Sequence, residues 1–401
     1  MEHKKKKTDF LIIGGGIIGL TISLHLKRKK ANSKVILIEK ENDLGLHASG
    51  RNSGVLHAGF YYFPDSLKSR FTRDGNEEMK RYCESKGIKI NKCGKVVVAK
   101  SEEEIQKIYN LKERGDKNNV ETYIIDEKEL NDIEPNAKTL KYALWSPNTA
   151  TVNPKEVIKS IAKDAQDLGV EIITSTPYKK KISENTVLAG DYIIEYEKLV
   201  NAAGLYADKI AKDFGLSKNY ILVPFKGIYF EYKGGGLKRN IYPVPSSKNP
   251  FLGVHFTVGV DGKIKVGPNA IPCFWRENYK GLEKFKISEF YEIIKSLNLI
   301  FAKNKNFRET VFEEIRKFQK RKMLDEAKKL VKYCDTTKFK KSNLSGIRAQ
   351  LIDVRNFDFV YDFVIESDSE SIHVLNSVSP AFTASFPFSR FVVGEYILKD
   401  K

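Results

Sequence analysis

A glycine hexapeptide, two histidines in glycine-flanked settings and one arginine carry most of the chemistry that this chain offers. Gly14-Gly-Gly-Ile-Ile-Gly19 fits the pattern GxGxxG. In such a pattern Gly14 permits the tight turn, Gly16 lets a pyrophosphate approach the backbone, and Gly19 lets helix and strand pack closely. A helix starting at Ile17 then presents free N–H groups and a partial positive charge to the phosphates. Glu39 lies twenty residues beyond Gly19 and is followed by Lys40. Its carboxylate is suited to accept hydrogen bonds from an adenosine ribose. NAD and FAD both carry that ribose. The stretch His47–Gly54 favours FAD, because Ser49, Asn52, Ser53 and Gly54 offer small, polar, flexible donors along an extended flavin.

The elements that must position these groups are legible. Phe10–Ile13 is a continuous apolar run, as a buried parallel strand should be, and Val35–Ile38 is a second. Between them Ile17–Lys30 carries apolar residues at helical spacing. Residues 154–168 read as a helix and Val170–Ile173 as a strand, and a strand at Lys198–Ala202 leads through Ala203-Gly204 into a helix from Ala207. Residues 221–273 are rich in Tyr, Phe, Val, Gly and Pro, with short strand-like runs that predict an antiparallel sheet. Residues 284–334 are helical, with Phe290, Ile294, Leu297 and Phe301, then Val311, Ile315 and Phe318, as apolar stripes. The expected fold is α/β: an FAD-binding Rossmann-like domain (8–84, 146–220 and 345–401) with an inserted substrate domain of antiparallel sheet plus helices (85–145 and 221–344).

Composition narrows the class. With 41% hydrophobic and 30% charged residues the chain reads as an ordinary globular protein. No apolar run reaches the length of a membrane span. The apolar run at Phe10 leaves no room for a leader before it, and Lys4–Lys7 reads as a basic tail. A net charge of +18 is spread along the whole chain with no nucleic-acid module, so no nucleic acid is expected and anionic small molecules are favoured. Cys83, Cys93, Cys273 and Cys334 form no CxxC pair, which points to a reduced, cytoplasmic protein without a structural metal.

Longer runs resemble a known family. Ser49-Gly-Arg-Asn-Ser-Gly-Val-Leu-His57-Ala-Gly59, continuing through Tyr61-Tyr62 to Asp65-Ser-Leu-Lys68, is similar to the FAD-dependent L-2-hydroxyglutarate dehydrogenases and oxidases, within the D-amino-acid-oxidase-like flavoproteins. Lys92-Cys-Gly-Lys95, Asn201-Ala-Ala-Gly-Leu-Tyr-Ala-Asp208, Gly253-Val-His-Phe-Thr257, Val266-Gly-Pro-Asn-Ala270, Gly346-Ile-Arg-Ala-Gln350 and Ser377-Val-Ser-Pro-Ala381 extend the likeness over nearly the whole length. The departures are Lys226, where the family usually has arginine, and Phe382, where it more often has a small residue. The resemblance implies oxidation of L-2-hydroxyglutarate to 2-oxoglutarate. It also implies that Ser379, Pro380, Ala381 and Thr383 face the flavin ring, and that Ala203 and Gly204 join the cofactor contacts. Alternatives are a related flavoenzyme acting on glycerol 3-phosphate or an amino acid, and a non-catalytic FAD- or RNA-binding protein.

Oxidising a hydroxy acid needs a proton acceptor, and neutral imidazole suits that task. Of six histidines, His57 and His255 are the candidates, one as base and the other polarising the hydroxyl; the alternative for each is a satisfied core imidazole. Arg348 is the first choice for holding a carboxylate bidentately. Lys226, Arg51 and Tyr61 are candidates for the distal carboxylate of a diacid. The helices of 284–334 are expected to pack on the substrate domain, or else to lie against a membrane so that electrons reach a quinone.

Overall fold

The computed structural model of the protein describes residues 3–245 and 251–399, so the last two residues of the expected nucleotide-binding segments lie outside it. β1 runs Lys4–Ile13. Its lysine half is not a tail: Lys4–Lys7 pair in parallel register with Tyr192–Glu195. Four consecutive lysines show no apolar alternation, so strand pairing rather than pattern makes this segment regular. The apolar half, Phe10–Ile13, is buried between β2 (Val35–Ile38) and Tyr192–Asn201, both parallel to it.

This first sheet has eight strands, with Val170–Ile173 beyond β2 and Ser371–Asn376 parallel to the end of Tyr192–Asn201. Alternate residues face opposite sides. Phe10, Ile12, Val35 and Leu37 join a core with the helices α1 (Ile17–Lys29), Pro154–Asp167 and Ser385–Val392. Leu11, Ile13, Ile36 and Ile38 pack on the other side with Ile210 of the Ala207–Asp213 helix. α1 is buried from Ile17 through Lys27, which explains why its sequence shows almost no polar face. Each fully buried Leu or Ile there contributes about 1.5–3 kcal/mol.

Among the described residues the second sheet has ten strands. Along its path stand Phe339–Asp353, Tyr220–Tyr232, Ile264–Gly267, His255–Val258, Asn240–Pro243, Lys95–Val98 and Tyr142–Ser146. Its pairs are antiparallel apart from Asn240–Pro243 beside Lys95–Val98. Tyr220–Tyr232 runs along most of Phe339–Asp353, which sets Arg348 opposite Phe225. The sequence boundary between 344 and 345 falls inside this strand, so residues 345–353 lie in the antiparallel sheet. We propose that each large sheet with its covering helices is one domain, the chain crossing between them several times. A small sheet of Val55–Leu56, Ala150–Val152 and Ile90–Asn91 lies along those crossings.

The helical segment forms Ile287–Lys303, Lys305–Arg316 and Lys320–Lys328. Its inward face differs from the sequence stripe: Phe307, Val311 and Glu314 are buried, whereas Ile315 and Phe318 are exposed. Glu314 turns inward because its carboxylate accepts the Ala270 N–H at 2.8 Å and pairs with Lys317. A buried ion pair ties the two large units. Arg276 reaches Asp208, on the Ala207–Asp213 helix, through two hydrogen bonds of 2.7 and 3.0 Å, and also bonds Glu292 and the Leu205 carbonyl.

Removing one partner of a buried pair strands the other charge in a low-dielectric interior. Arg276→Met is therefore expected to lower stability by about 3–5 kcal/mol in urea unfolding. Arg276→Met combined with Asp208→Leu should recover much of that loss.

Candidate active site

A cavity of about 420 Å³ runs from the turn after β1 to the face of the second sheet. At its outer end Gly14 has φ +110°, and a Cβ there would stand 2.6 Å from the Ala202 carbonyl oxygen. Gly16 and Ile17 also line the cavity, and the Ile17 N–H donates to Ser49 Oγ at 2.9 Å. Glu39 accepts the Gly15 N–H at 2.7 Å and the Glu41 N–H at 2.9 Å, which fixes its carboxylate beside the turn with lone pairs to spare. Lys40, Asn52, Ser53, Ala203 and Gly204 line the same stretch. Gly19 and Gly54 do not; a Cβ on Gly19 would lie 2.0 Å from the Gly14 carbonyl oxygen, and one on Gly54 would lie 2.2 Å from that of Val152. Their task is close packing of the chain behind the turn.

At the inner end stand His57, His255 and Arg348, with Ser379, Pro380, Ala381 and Thr383 along one side. The His57 backbone N–H donates to Thr383 Oγ1 at 3.1 Å, while Asn76 Nδ2 donates to the Leu56 and His57 carbonyls. His255 Nδ1 donates to the Gly253 carbonyl at 2.8 Å, which leaves Nε2 as the lone-pair nitrogen of a neutral ring. The ring stacks on Tyr242 with centroids 3.8 Å apart. Burial lowers His255 to about 3, with the Gly253 bond opposing and Lys95 assisting. Burial also pushes His57 well below the ordinary 6.5, helped by Lys95 and His255. Burial thus favours the neutral form of both imidazoles.

Arg348 is half-buried, with its guanidinium 5.2 Å from the Phe251 ring centre. Burial lowers it to about 10, so it keeps its charge at neutral pH, and Tyr62 and Tyr361 favour that charge. Lys68, at the start of the Leu67–Ser85 helix, is a second basic side chain near Arg348, though it does not line the cavity. It is 6% exposed, and burial first and the Arg348 charge second lower it to about 7, against Asp362. Type and spacing gave it no role; the matched run ending at Lys68 was the available signal.

The other expected anchors are placed differently. Lys226 Nζ donates to the Asn278 carbonyl at 2.8 Å and does not line the cavity. Arg51 lines it, but its guanidinium stacks 4.4 Å above the Tyr279 ring and Nε donates to the Leu46 carbonyl. Tyr61 is buried behind the wall, beside Lys95. A charged cluster roofs the outer half: Lys40 and Lys284 each pair with both Glu41 and Glu277, while His47 bonds Glu41 and Tyr279. Its residues come from two distant stretches of sequence, so spacing alone hides it.

Residues 9–392 match the family described as FAD dependent oxidoreductase. The chain belongs to that family. FAD is its cofactor, and the side-chain-free turn at Gly14–Gly16 and the cavity leading inward from it fit such a molecule. The chain is 34% identical over 400 residues to the L-2-hydroxyglutarate dehydrogenase of Escherichia coli (strain K12), covering 96% of this chain and 92% of that one. It is 34% identical over 411 residues to the mitochondrial L-2-hydroxyglutarate dehydrogenase of Homo sapiens, covering 96% and 88%. An FAD-bound L-alpha-glycerophosphate oxidase from Mycoplasma pneumoniae has the same fold, with TM-score 0.72, 22% identity and coverage of 97% and 94%.

Gly14→Ala adds a methyl group against backbone that has no room to move, at a φ that L residues rarely adopt. The purified variant is expected to keep its circular-dichroism spectrum while losing most of the yellow flavin absorbance.

Proposed function

We propose that this FAD-dependent oxidoreductase oxidises L-2-hydroxyglutarate to 2-oxoglutarate. The observation that carries the reading is the inner end of the cavity, which two buried imidazoles and the half-buried Arg348 line together. The names of the curated relatives support the same substrate.

Bound FAD supplies the acceptor for the α-hydrogen and its electron pair. Arg348 holds the carboxylate next to the reacting carbon, because its planar fork matches both oxygens. Arg51, which lines the cavity, is the candidate for the distal carboxylate, with Lys68 adding positive charge from behind the wall. His255 Nε2 takes the hydroxyl proton as the C=O bond forms, since its other nitrogen is committed to Gly253. His57 positions the hydroxyl oxygen from the opposite segment. Burial keeps water from competing for that proton.

A second observation supports a membrane-facing surface. Ile287, Tyr291, Phe312 and Ile315 on the helices Ile287–Lys303 and Lys305–Arg316, and Phe318 just beyond the second, are each about half exposed or more, among lysines such as Lys286, Lys295 and Lys305. Apolar side chains among lysines suit an anionic lipid surface. Among the described residues no helix is long and apolar enough to cross a membrane.

Anaerobic mixing with the L and D isomers of 2-hydroxyglutarate and with glycerol 3-phosphate is expected to bleach the flavin with the L isomer alone; bleaching by glycerol 3-phosphate instead would move the substrate assignment. His255→Asn should lower the reduction rate by about 10²–10⁴ with FAD retained. Arg348→Met should raise KM more than it lowers kcat. In sedimentation, binding to phosphatidylglycerol vesicles but not phosphatidylcholine vesicles is expected, and Phe312→Ser with Phe318→Ser should abolish it.

A further inference from the structure

On the sheet face that carries His255 stands a tyrosine with no assigned task. Tyr229 belongs to the strand Tyr220–Tyr232, lines the cavity and is 7% exposed. Among the described residues its hydroxyl has no hydrogen-bond partner, and burial alone acts on it. Nor is that oxygen sealed off, as the unpartnered Tyr61 hydroxyl is. A buried phenol ordinarily finds a partner within the protein. Here the partner is something that enters the cavity. Burial raises the pKa of Tyr229 above the ordinary 10, so the hydroxyl remains a donor at neutral pH.

Strand register places it relative to the other groups. Phe230 pairs with Val266, and His255 pairs with Gly267. Tyr229 and His255 therefore flank Gly267 in one row of the sheet, on the face where Tyr242 stacks against His255. Gly267 puts no side chain between them. Two strand spacings make the gap about 9.5 Å, which a short carbon chain with a hydrogen bond at each end spans. Gly227, two residues before Tyr229, pairs with Gly346, and a Cβ on Gly346 would stand 2.7 Å from the Arg51 carbonyl oxygen. Tyr229 thus lies between the histidine and the Arg51 segment.

A hydroxy diacid brings a carboxylate and a hydroxyl at its reacting end and a second carboxylate at the other. Arg348 and the imidazoles take the first two. For the third, Lys226 is engaged by the Asn278 carbonyl, Tyr61 is sealed, and Lys68 does not line the cavity. Arg51 lines it, yet its guanidinium lies on the Tyr279 ring and its Nε is committed to Leu46. Arg51 supplies charge there; the directed donor is Tyr229.

We propose that Tyr229 determines specificity for a diacid: its hydroxyl donates a hydrogen bond to the carboxylate at the far end of the substrate, with the charge of Arg51 beside it. This rests on the substrate reading above, in which His255 meets the hydroxyl at the reacting end.

The test compares Tyr229→Phe with the unaltered enzyme, both loaded with FAD, on L-2-hydroxyglutarate and on L-2-hydroxypentanoate. The second acid has a methyl group in place of the distal carboxylate. Stopped-flow bleaching of the flavin gives a limiting rate and a half-saturating concentration for each. Preference for the diacid, as the ratio of rate over half-saturating concentration, should fall about tenfold or more in Tyr229→Phe. The fall should come through the half-saturating concentration rather than the limiting rate. An unchanged preference overturns the proposal, whether both acids suffer equally or neither does. Loss of FAD from Tyr229→Phe overturns it as well, because the missing oxygen would then have served the cofactor. If the monoacid bleaches the flavin too slowly to follow, competitive inhibition by glutarate and by pentanoate supplies the same ratio. If L-2-hydroxyglutarate fails to bleach the unaltered enzyme, the substrate reading itself fails. If it bleaches and the preference survives in Tyr229→Phe, only the role of Tyr229 fails.

Discussion

Backbones approach one another at a few points where no side chain fits, and the cavity's walls follow from those points. At Gly14 the end of β1 comes against Ala202, and at Gly19 α1 comes against Gly14. The same device recurs at the inner end. A Cβ on Gly75 would stand 2.3 Å from the Thr383 carbonyl oxygen, and one on Gly346 would stand 2.7 Å from that of Arg51. The first contact holds the Leu67–Ser85 helix against the turn whose Thr383 hydroxyl accepts the His57 N–H. The second sets the register by which Arg348, two residues on, reaches the cavity. Glycine here is a statement about distance, and the positions of imidazole and guanidinium are its consequences.

Charge is sorted along the cavity by the same geometry. At the outer end the carboxylates of Glu41 and Glu277 share Lys40 and Lys284. Burial alone would raise Glu277, yet the two lysines hold it down to about 2. Glu277 is buried while its lysine partners are partly exposed, and several such pairs together tie the 274–286 segment to Lys40 and Glu41. Behind the wall of the inner end Lys68 and Lys95 are both buried, and burial depresses both. Such a region accommodates an anion readily, because the anion supplies the charge that the fold withholds.

How much of this was legible in the sequence depends on whether a residue's partner is near it in the chain. Gly14, Gly16 and Glu39 were readable because the strand, turn and helix that give them meaning lie within about forty consecutive residues. His57 and His255 were readable by type, since few side chains handle protons near neutral pH. Lys226 and Arg51 were of the right type to hold a carboxylate, but Asn278 and Tyr279, more than fifty positions away from Lys226 and over two hundred from Arg51, engage them. Lys68 and Lys95 could not be told from surface lysines, of which this chain has many. Pairing hid the first half of β1 in the same way: four lysines become a strand only because Tyr192–Glu195 lies beside them.

The two inner cations differ in a way that bears on which acids the site can hold. Arg348, lowered only to about 10, is charged throughout the neutral range, and its fork is ready before any ligand arrives. Lys68, which burial first and the Arg348 charge second both lower, gains from a second carboxylate brought close to it. A monoacid satisfies Arg348 and leaves Lys68 in an apolar setting, where its neutral form is favoured. A diacid raises the lysine's affinity for its proton and adds an ion pair that did not exist beforehand. On the substrate reading proposed above, discrimination would come less from rejecting the smaller acid than from completing a charge that burial disfavours.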